Sequence, residues 1–184
     1  MSLLERDAVK RVRHALVDGG LEDKVIALDE AARTAEAAAQ AADCPLGAIA
    51  KSLVFTIGTR FVMALVAGDH TCIEENLPKA LNIQGKVRRP QAAEVKGITG
   101  FTIGGVAPIG LYHRLPVVID ASLKRFETVY AAAGHPNCIF PTRVADLARL
   151  SGGIISHNIA KPMDGVEGYV PTFRRSKTLQ KYRI

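Results

Sequence analysis

The chain has 184 residues, of which 48% are hydrophobic and 23% are charged, and its formal net charge at pH 7 is +6. This balance excludes an intrinsically disordered chain and favours one globular domain over residues 1–184 with a substantial buried core. No apolar run approaches the roughly 18 residues that cross a bilayer, and the charged N-terminus is unlike an export signal, so we expect a cytoplasmic protein that makes no membrane contact.

The N-terminal part of the chain alternates helix and strand patterns. Residues 3–18 place aliphatic side chains near one helical face, and the two glycines that follow end this helix. Residues 24–28 are typical of a short strand. An alanine-rich helix then begins after Thr34, whose hydroxyl can cap it.

The centre of the chain predicts a β-hairpin. Residues 49–57 and 61–69 are two apolar, β-rich runs joined by a turn that contains Gly58 and Thr59. Both runs are apolar enough for a sheet that is covered on each face. Lys51 interrupts this pattern, and two interpretations stay open: a lysine that snorkels at the sheet edge, or a fixed cation for an anionic ligand.

A glycine-rich segment follows the hairpin. Short helices are predicted at residues 74–81 and 91–96, on either side of the basic residues 86–90. Residues 97–110 then contain five glycines in fourteen positions. Such a loop is either a plain surface turn or a backbone that presents N–H groups to an oxyanion or a phosphate.

The C-terminal part adds further strands and a helix. Strands are expected at residues 115–120, 127–132 and 138–140, and a helix is expected from Pro141 to residue 150 with Thr142 as its cap. Strands therefore occur both in hairpins and in strand-helix-strand units. The pattern predicts an α/β protein of the α+β type, with a mixed sheet surrounded by helices.

Cysteine spacing and charge limit the classes of site. Cys44, Cys72 and Cys138 are odd in number and widely spaced, which favours neither a disulfide framework nor a zinc site, and we expect no metal or cofactor. The basic surface suits a polyanionic partner. The basic tail at residues 173–184 is either solvated and loose or follows a phosphate backbone.

Several segments together resemble the YbaK/ProX-type aminoacyl-tRNA editing domains, the free-standing relatives of the editing insertion in bacterial prolyl-tRNA synthetase. The resemblance covers about residues 21–150 and rests on the order and spacing of its motifs. These motifs are residues 49–55, 67–69, 99–101, 104–110 and 118–120. The resemblance implies a mainly antiparallel, barrel-like core.

The resemblance also assigns roles to individual residues. It implies that Lys51 holds the terminal phosphate of the tRNA acceptor end, and that Gly104 and Pro108 mark a Gly-x-x-x-Pro loop that lines the amino-acid pocket. His135, in a His-Pro pair, bonds the substrate's amino group, positions water or is only a loop residue, and Thr34 falls at the pocket wall. The resemblance further implies a catalytic role for Gly105 and substrate contacts for Ser52, Val106, Ala107 and Ile109.

The activity implied by the resemblance is hydrolysis of mischarged aminoacyl-tRNA, most often tRNA for proline that carries a small wrong amino acid such as alanine or cysteine. The partners would be the mischarged tRNA and prolyl-tRNA synthetase. Backbone amides would polarise the ester, and a 2′-hydroxyl of the substrate would assist. The competing hypothesis is a non-catalytic RNA- or nucleotide-binding protein with the same basic surface. Only 5% of the residues are aromatic, which argues against a base-stacking platform.

Overall fold

One eight-stranded sheet organises the chain, as described by a computed structural model for residues 2–29 and 32–166. The helices are α1 (Asp7–Asp18), α2 (Ala35–Ala42), α3 (Leu77–Leu81), α4 (Ala92–Thr99) and α5 (Val144–Ser151). The strands are β1 (Ile26–Ala27), β2 (Ile49–Ile57), β3 (Arg60–Ala67), β4 (His70–Cys72), β5 (Val87–Arg88), β6 (Val117–Asp120), β7 (Val129–Ala132), β8 (Cys138–Thr142), β9 (Ile154–Ser156) and β10 (Ala160–Pro162). The basic tail at residues 173–184 lies outside the described residues.

The strand order confirms a mixed, mainly antiparallel sheet. It runs β1-β8-β7-β2-β3-β6-β9, with β5 as an additional partner of β2, while β4 and β10 form a separate pair. The pairs β2–β7, β3–β6 and β6–β9 are parallel, and the remaining pairs are antiparallel. The described ladder begins at β1 and ends at β9 rather than closing on itself as a barrel.

The predicted hairpin is confirmed as β2 and β3, which pair from Ala50↔Ala67 to Ile57↔Arg60. Successive β3 side chains enter two different cores. Met63 and Leu65 pack in the larger cluster, whereas Val62 and Ala64 pack in the cluster on the other face. Both faces of the hairpin are therefore covered, which explains why its sequence is apolar without strict alternation.

Amphipathic helices cover these faces. Helix α1 buries Val9, Val12 and Leu16, the face predicted from the sequence, and α5 adds Leu147 to the same cluster. Helix α3 covers the opposite face through Leu77. None of the helices in the described ranges is both long and apolar enough to span a membrane.

Two predicted element boundaries were wrong near glycine and proline. The helix expected at residues 91–96 continues to Thr99, where Gly100 adopts φ 77° and ends it. The glycine-rich segment therefore begins three residues later than expected, since Gly97 lies within the helix. The Thr99 hydroxyl donates to the Val95 carbonyl at 2.7 Å and accepts from the Phe101 amide at 3.0 Å, which secures this helix end.

The C-terminal helix also starts later than predicted. Pro141 and Thr142 belong to β8, and α5 begins at Val144 after Arg143. β1 pairs with β8 only at Cys138 and Ile139, so the outer edge of β8 is open at Pro141. A proline is tolerated there because an edge position can lack a ladder N–H.

The outer strands were the least predictable. Of the strand expected at residues 24–28, only Ile26 and Ala27, which form β1, pair with another strand. Both of their side chains are exposed. Strands β9 and β10 lie beyond residue 150 and had no predicted counterpart. Each of the three strands has two or three residues, too few to show a period-two pattern.

Candidate active site

A cavity of about 350 Å³ opens where the first half of β2 meets the N-terminal end of α2 and residues 103–106. Polar groups and backbone are contributed by Thr34, Lys51, Ser52 and Gly104, with Val106 beside them. Apolar walls come from α2, from the start of β2, and from β7, β8 and their turn, through Ala35, Ala38, Ile49, Tyr130, Pro136 and Ile139. A mostly apolar cleft with a few convergent polar groups is typical of a small-molecule site.

Lys51 lines this cavity, and its ammonium group is fixed by hydrogen bonds to two backbone carbonyls. It is half-buried, and its Nζ donates to the carbonyl oxygen of His70 at 2.5 Å and to that of Gly68 at 3.5 Å. Burial lowers the pKa of Lys51, although nearby carboxylates, first that of Glu36, oppose the shift. The two carbonyls fix the position of the ammonium without neutralising its charge, so it remains able to bind an anion.

The turn that holds Lys51 is braced by Arg125. Its two terminal nitrogens donate to the two oxygens of the Asp69 carboxylate at 2.9 and 2.7 Å. The same carboxylate contacts His70 Nδ1 at 2.7 Å. Burial alone would raise the pKa of Asp69, but hydrogen bonds from Arg125 and His70 lower it overall. A bidentate pair of this kind fixes geometry as well as charge.

Asp120 fastens the same region to the sheet. This buried carboxylate at the end of β6 accepts the Ala67 amide at 3.1 Å and the Ser122 amide at 2.8 Å. It thereby caps the short 3-10 helix Ala121–Arg125 and ties it to the end of β3. The guanidinium of Arg125 starts from this fixed helix and donates its Nε to the Ser122 carbonyl at 2.7 Å.

Two residues of the glycine-rich loop that line the cavity, Gly104 and Val106, have free backbone amides. Gly104 has φ 96°, a left-handed conformation that favours glycine. Within the part of the chain that the structure describes, the amides of Gly104 and Val106 donate to no carbonyl or side chain. The Gly105 amide is already used, because it donates to the Thr102 carbonyl at 3.0 Å.

Only part of the predicted loop reaches the cavity. Gly105 is buried against His135, where an added Cβ would lie 2.8 Å from the His135 Cα. Ala107 is fully buried in the core, and Pro108 and Ile109 line a different cavity of about 200 Å³ beside α1 and α5. The structure thus places these four residues behind the cavity wall rather than on it, since the core of α1, α4 and α5 takes up the apolar side chains of the loop.

His135 also lies behind the cavity, while its neighbour Pro136 lines it. The Asn137 amide donates to His135 Nδ1 at 3.1 Å. Burial lowers the pKa of His135, and the charge of Arg6 adds to this effect. A neutral imidazole whose Nδ1 accepts a hydrogen bond carries its proton on Nε2, so His135 can act toward the cavity only as a donor.

Two hydroxyls complete the polar lining. Thr34 caps α2 as predicted, because its Oγ1 accepts the Ala37 amide at 3.2 Å. Ser52 Oγ is buried and has no hydrogen-bond partner among the residues that the structure describes. A buried hydroxyl without a partner is unfavourable in the free protein. A ligand that bonds Ser52 would remove this penalty.

Comparison with known proteins decides the family. Residues 29–150 match the model of the aminoacyl-tRNA editing domain. The chain belongs to the aminoacyl-tRNA editing domain family. The matched segment contains all of the cavity lining described above.

Relatives of this editing domain occur both as similar-sized proteins and within synthetases. The chain is 32% identical over 145 residues to the uncharacterized protein YwhH of Bacillus subtilis (strain 168), covering 78% of this chain and 91% of YwhH. It is 36% identical over 92 residues to the proline–tRNA ligase of Thermosipho africanus (strain TCF52B), covering 50% of this chain but only 16% of the ligase. The crystal structure of a candidate trans-editing enzyme for prolyl-tRNA synthetase superposes with TM-score 0.78 at 32% identity, covering 86% of this chain and 99% of that one.

The sequence of this editing domain indicated some lining residues and missed others. The structure brings Lys51, Ser52, Thr34, Gly104 and Val106 together as one lining. The bracing contact between Asp69 and Arg125 was missed, since its partners are 56 positions apart. Ala35 and Ala38 could have been found from their three-residue spacing on a helix of small residues, which places both on one face. Across the described ranges, no cluster of three His, Cys, Asp or Glu residues could hold a metal ion.

Proposed function

We propose that this editing-domain protein is a trans-acting aminoacyl-tRNA deacylase. Its substrate would be tRNA for proline that carries a small wrong amino acid such as alanine or cysteine. Its family membership and its resemblance in size to free-standing relatives support this assignment. The observation that carries the proposal is that Lys51 and two residues with free amides, Gly104 and Val106, line one cavity.

Lys51 would anchor the phosphate on the 5′ side of the terminal adenosine. Its ammonium is held by two carbonyls at the cavity wall, so it is already oriented when the substrate arrives. Orientation of the reacting groups can remove up to about 7 to 11 kcal/mol of an activation barrier. The lysine therefore contributes by holding the ester, and it takes no proton during the reaction.

Hydrolysis would proceed by attack of water on the ester carbonyl carbon. The oxyanion that forms would accept hydrogen bonds from the amides of Gly104 and Val106, and one such donor is worth about 3 to 4 kcal/mol of barrier. The bond between the carbonyl carbon and the ribose oxygen then breaks. A proton from the attacking water passes to that oxygen, with the neighbouring 2′-hydroxyl as relay, and leaves a free amino acid and a free tRNA end.

His135 would assist from behind the loop. The Nε2–H of His135 is a hydrogen-bond donor. The substrate's ammonium group also has only donors, so His135 cannot bind it. The favoured role is therefore to position water through a hydrogen bond. Because His135 does not line the cavity, we expect it to contribute less to the rate than Lys51.

The floor of the cavity would select the amino acid. Ala35 and Ala38 on α2 present only methyl groups there, and Tyr130 packs in the same apolar cluster. A synthetase gains only about 1 to 3 kcal/mol of discrimination from one methylene, so a second site that sorts by size is needed. Substitutions at this floor would change the preference among small amino acids.

The test is ester loss from a panel of tRNAs charged with alanine, cysteine, serine, 2-aminobutyrate and proline. A deacylase accelerates loss of at least one small amino acid and spares proline. A non-catalytic RNA-binding protein would retard the tRNA on a gel and leave every ester at its spontaneous rate. That result would overturn the proposed activity.

A further inference from the structure

One edge of β2 is open over five residues. On the side away from β3, β2 pairs with β7 at Ile49 and Ala50 and with β5 at Thr56 and Ile57. Residues 51–55 have no strand partner on that side in the described structure. At about 3.3 Å per residue the gap is roughly 17 Å long. Its unpaired N–H and C=O groups are available to a ligand.

A second compartment of about 240 Å³ lies along the far half of this gap. Its walls are apolar at Val54, Pro90 and Ile103, and Arg89 stands at its margin. It shares Ser52, Leu53, Ile103, Gly104 and Val106 with the candidate active site, so the two cavities adjoin. They meet next to Lys51, which belongs to the first cavity only.

Arg89 can exchange its present carboxylate partner, Glu74, for another anion. Its side chain is 71% exposed, and its Nε donates to Glu74 at 2.7 Å. An exposed ion pair contributes only about 0 to 1 kcal/mol, so a phosphate can replace the carboxylate at little cost. The guanidinium lies 5.8 Å from the centre of the Phe55 ring, which directs the arginine toward the compartment.

We propose that this second compartment binds the nucleotide on the 5′ side of the terminal adenosine, the last cytidine of the acceptor end. The inference rests on the proposed function. With the aminoacyl-adenosine in the first cavity, the phosphate that joins the two nucleotides lies beside Lys51, and the chain continues into the adjoining compartment. The cytosine packs between the apolar walls and bonds the open β2 edge, while Arg89 faces the next phosphate.

The geometry favours a nucleotide over an added peptide strand. β7 and β5 close both ends of the gap, so a peptide strand could pair over five residues only. Residues 103–106 line the same compartment as β2, so this part of the β2 edge faces a cleft rather than a bare surface. A single-stranded base fits such a site, since RNA-binding proteins read unpaired bases through their edges and faces.

The test compares three non-hydrolysable ligands by calorimetry. The first is 5′-phosphorylated 3′-alanylamido-adenosine, the second carries 5′-phosphorylated cytidine on that phosphate, and the third carries a 5′-phosphorylated abasic ribose in place of the cytidine. The cytidine ligand should bind roughly tenfold more tightly than the first, as expected for one fitted base. The abasic ligand should lose most of this gain.

Arg89→Met should reduce the affinity ratio between the cytidine and adenosine ligands. Arg88→Met is the matched control, because Arg88 is also exposed and ion-paired, but to Glu94 and outside the compartment. Equal affinities for the first two ligands, or an equal loss in both variants, would overturn the inference while leaving the proposed function intact. If the adenosine ligand itself does not bind, the proposed function fails and the inference fails with it.

Discussion

Arg125 donates hydrogen bonds to both carboxylate oxygens of Asp69, at 2.9 and 2.7 Å, although the two residues come from distant parts of the chain. Asp69 lies in the turn between β3 and β4, and the carbonyls on either side of it, from Gly68 and His70, hold the Lys51 ammonium. The position of the candidate phosphate anchor therefore depends on an ion pair that does not touch the cavity itself.

Lys51→Ala should lower turnover roughly hundredfold or more, because the substrate phosphate loses its anchor and the ester is no longer aligned. Thermal unfolding should change little, since the lysine is only half-buried. Single-turnover deacylation measures the effect. Lys96→Ala, on the exposed side of α4, is the control, and equal rates in both variants would remove Lys51 from the site.

Arg125→Met tests the brace. We expect about a tenfold loss of turnover, because the carbonyl pair that orients Lys51 would shift. The free energy of unfolding should change by less than about 1 kcal/mol, as for other partly exposed ion pairs. Arg149→Met is the matched control, since it removes a similarly exposed pair with Asp146.

A double-mutant cycle separates bracing from general destabilisation. If Arg125 acts through Lys51, then Arg125→Met should have no further effect on turnover in a Lys51→Ala background. Additive losses would mean that Arg125 acts on the enzyme by another route.

The contribution of Asp69 to the free energy of unfolding should depend on pH. Hydrogen bonds lower the folded-state pKa of Asp69, so its ionised form stabilises the fold above the unfolded value of about 3.9. Asp69→Asn should therefore be less stable than the parent at neutral pH. The difference should narrow as pH falls through the lowered pKa. Urea unfolding at a series of pH values measures it, and a difference that grows with acid would contradict the assignment.

Helix α2 should set the amino-acid preference. Ala38→Leu places a larger side chain on the cavity floor and should slow release of 2-aminobutyrate more than release of alanine, by roughly tenfold, because a single methylene is worth about 1 to 3 kcal/mol there. Ala41→Leu, on the exposed side of the same helix, should leave the ratio unchanged. Rates on the two charged tRNAs decide between these outcomes.

Alanine substitutions at Gly105 and Gly97 should change the stability of the protein in opposite directions. Gly105→Ala forces a Cβ to within 2.8 Å of the His135 backbone and should lower both stability and turnover. Gly97→Ala meets nothing within 4 Å on the exposed face of α4 and should stabilise the fold by about 0.5 to 1 kcal/mol. Chemical denaturation of both variants checks the signs. Similar effects at the two positions would contradict the packing described for the loop.

The sequence predicted the hairpin and the helices because their apolar patterns are long. Residues 49–69 form two long apolar, β-rich runs around a turn, and the buried face of α1 repeats often enough for helical periodicity to decide. Residues 141 and 142 misled the prediction, since a proline followed by a threonine resembles a helix start when the partner strands are unknown. Tertiary pairing, not local preference, places them in β8.

By residue type alone, only two residues of the candidate site stood out in the sequence. Lys51 was conspicuous in an apolar strand, and Gly104 in a glycine-rich loop. His135 and Pro108 belong to the expected motifs but lie behind the wall, and no local pattern tells which way an irregular loop turns its side chains. The Arg125 brace depends on contacts between residues 56 positions apart, which no spacing rule captures.

The loop from Gly104 to Ile109 lies between two cavities and lines a different one on each side. Its front, through Gly104 and Val106, lines the candidate active site, and its back, through Pro108 and Ile109, lines the smaller cavity with Ala15 and Leu150. A change of volume in that rear chamber would shift the amides without altering any atom that meets the substrate. Under the proposed function, substitutions in the rear chamber would therefore change the rate of deacylation at positions that never contact the tRNA.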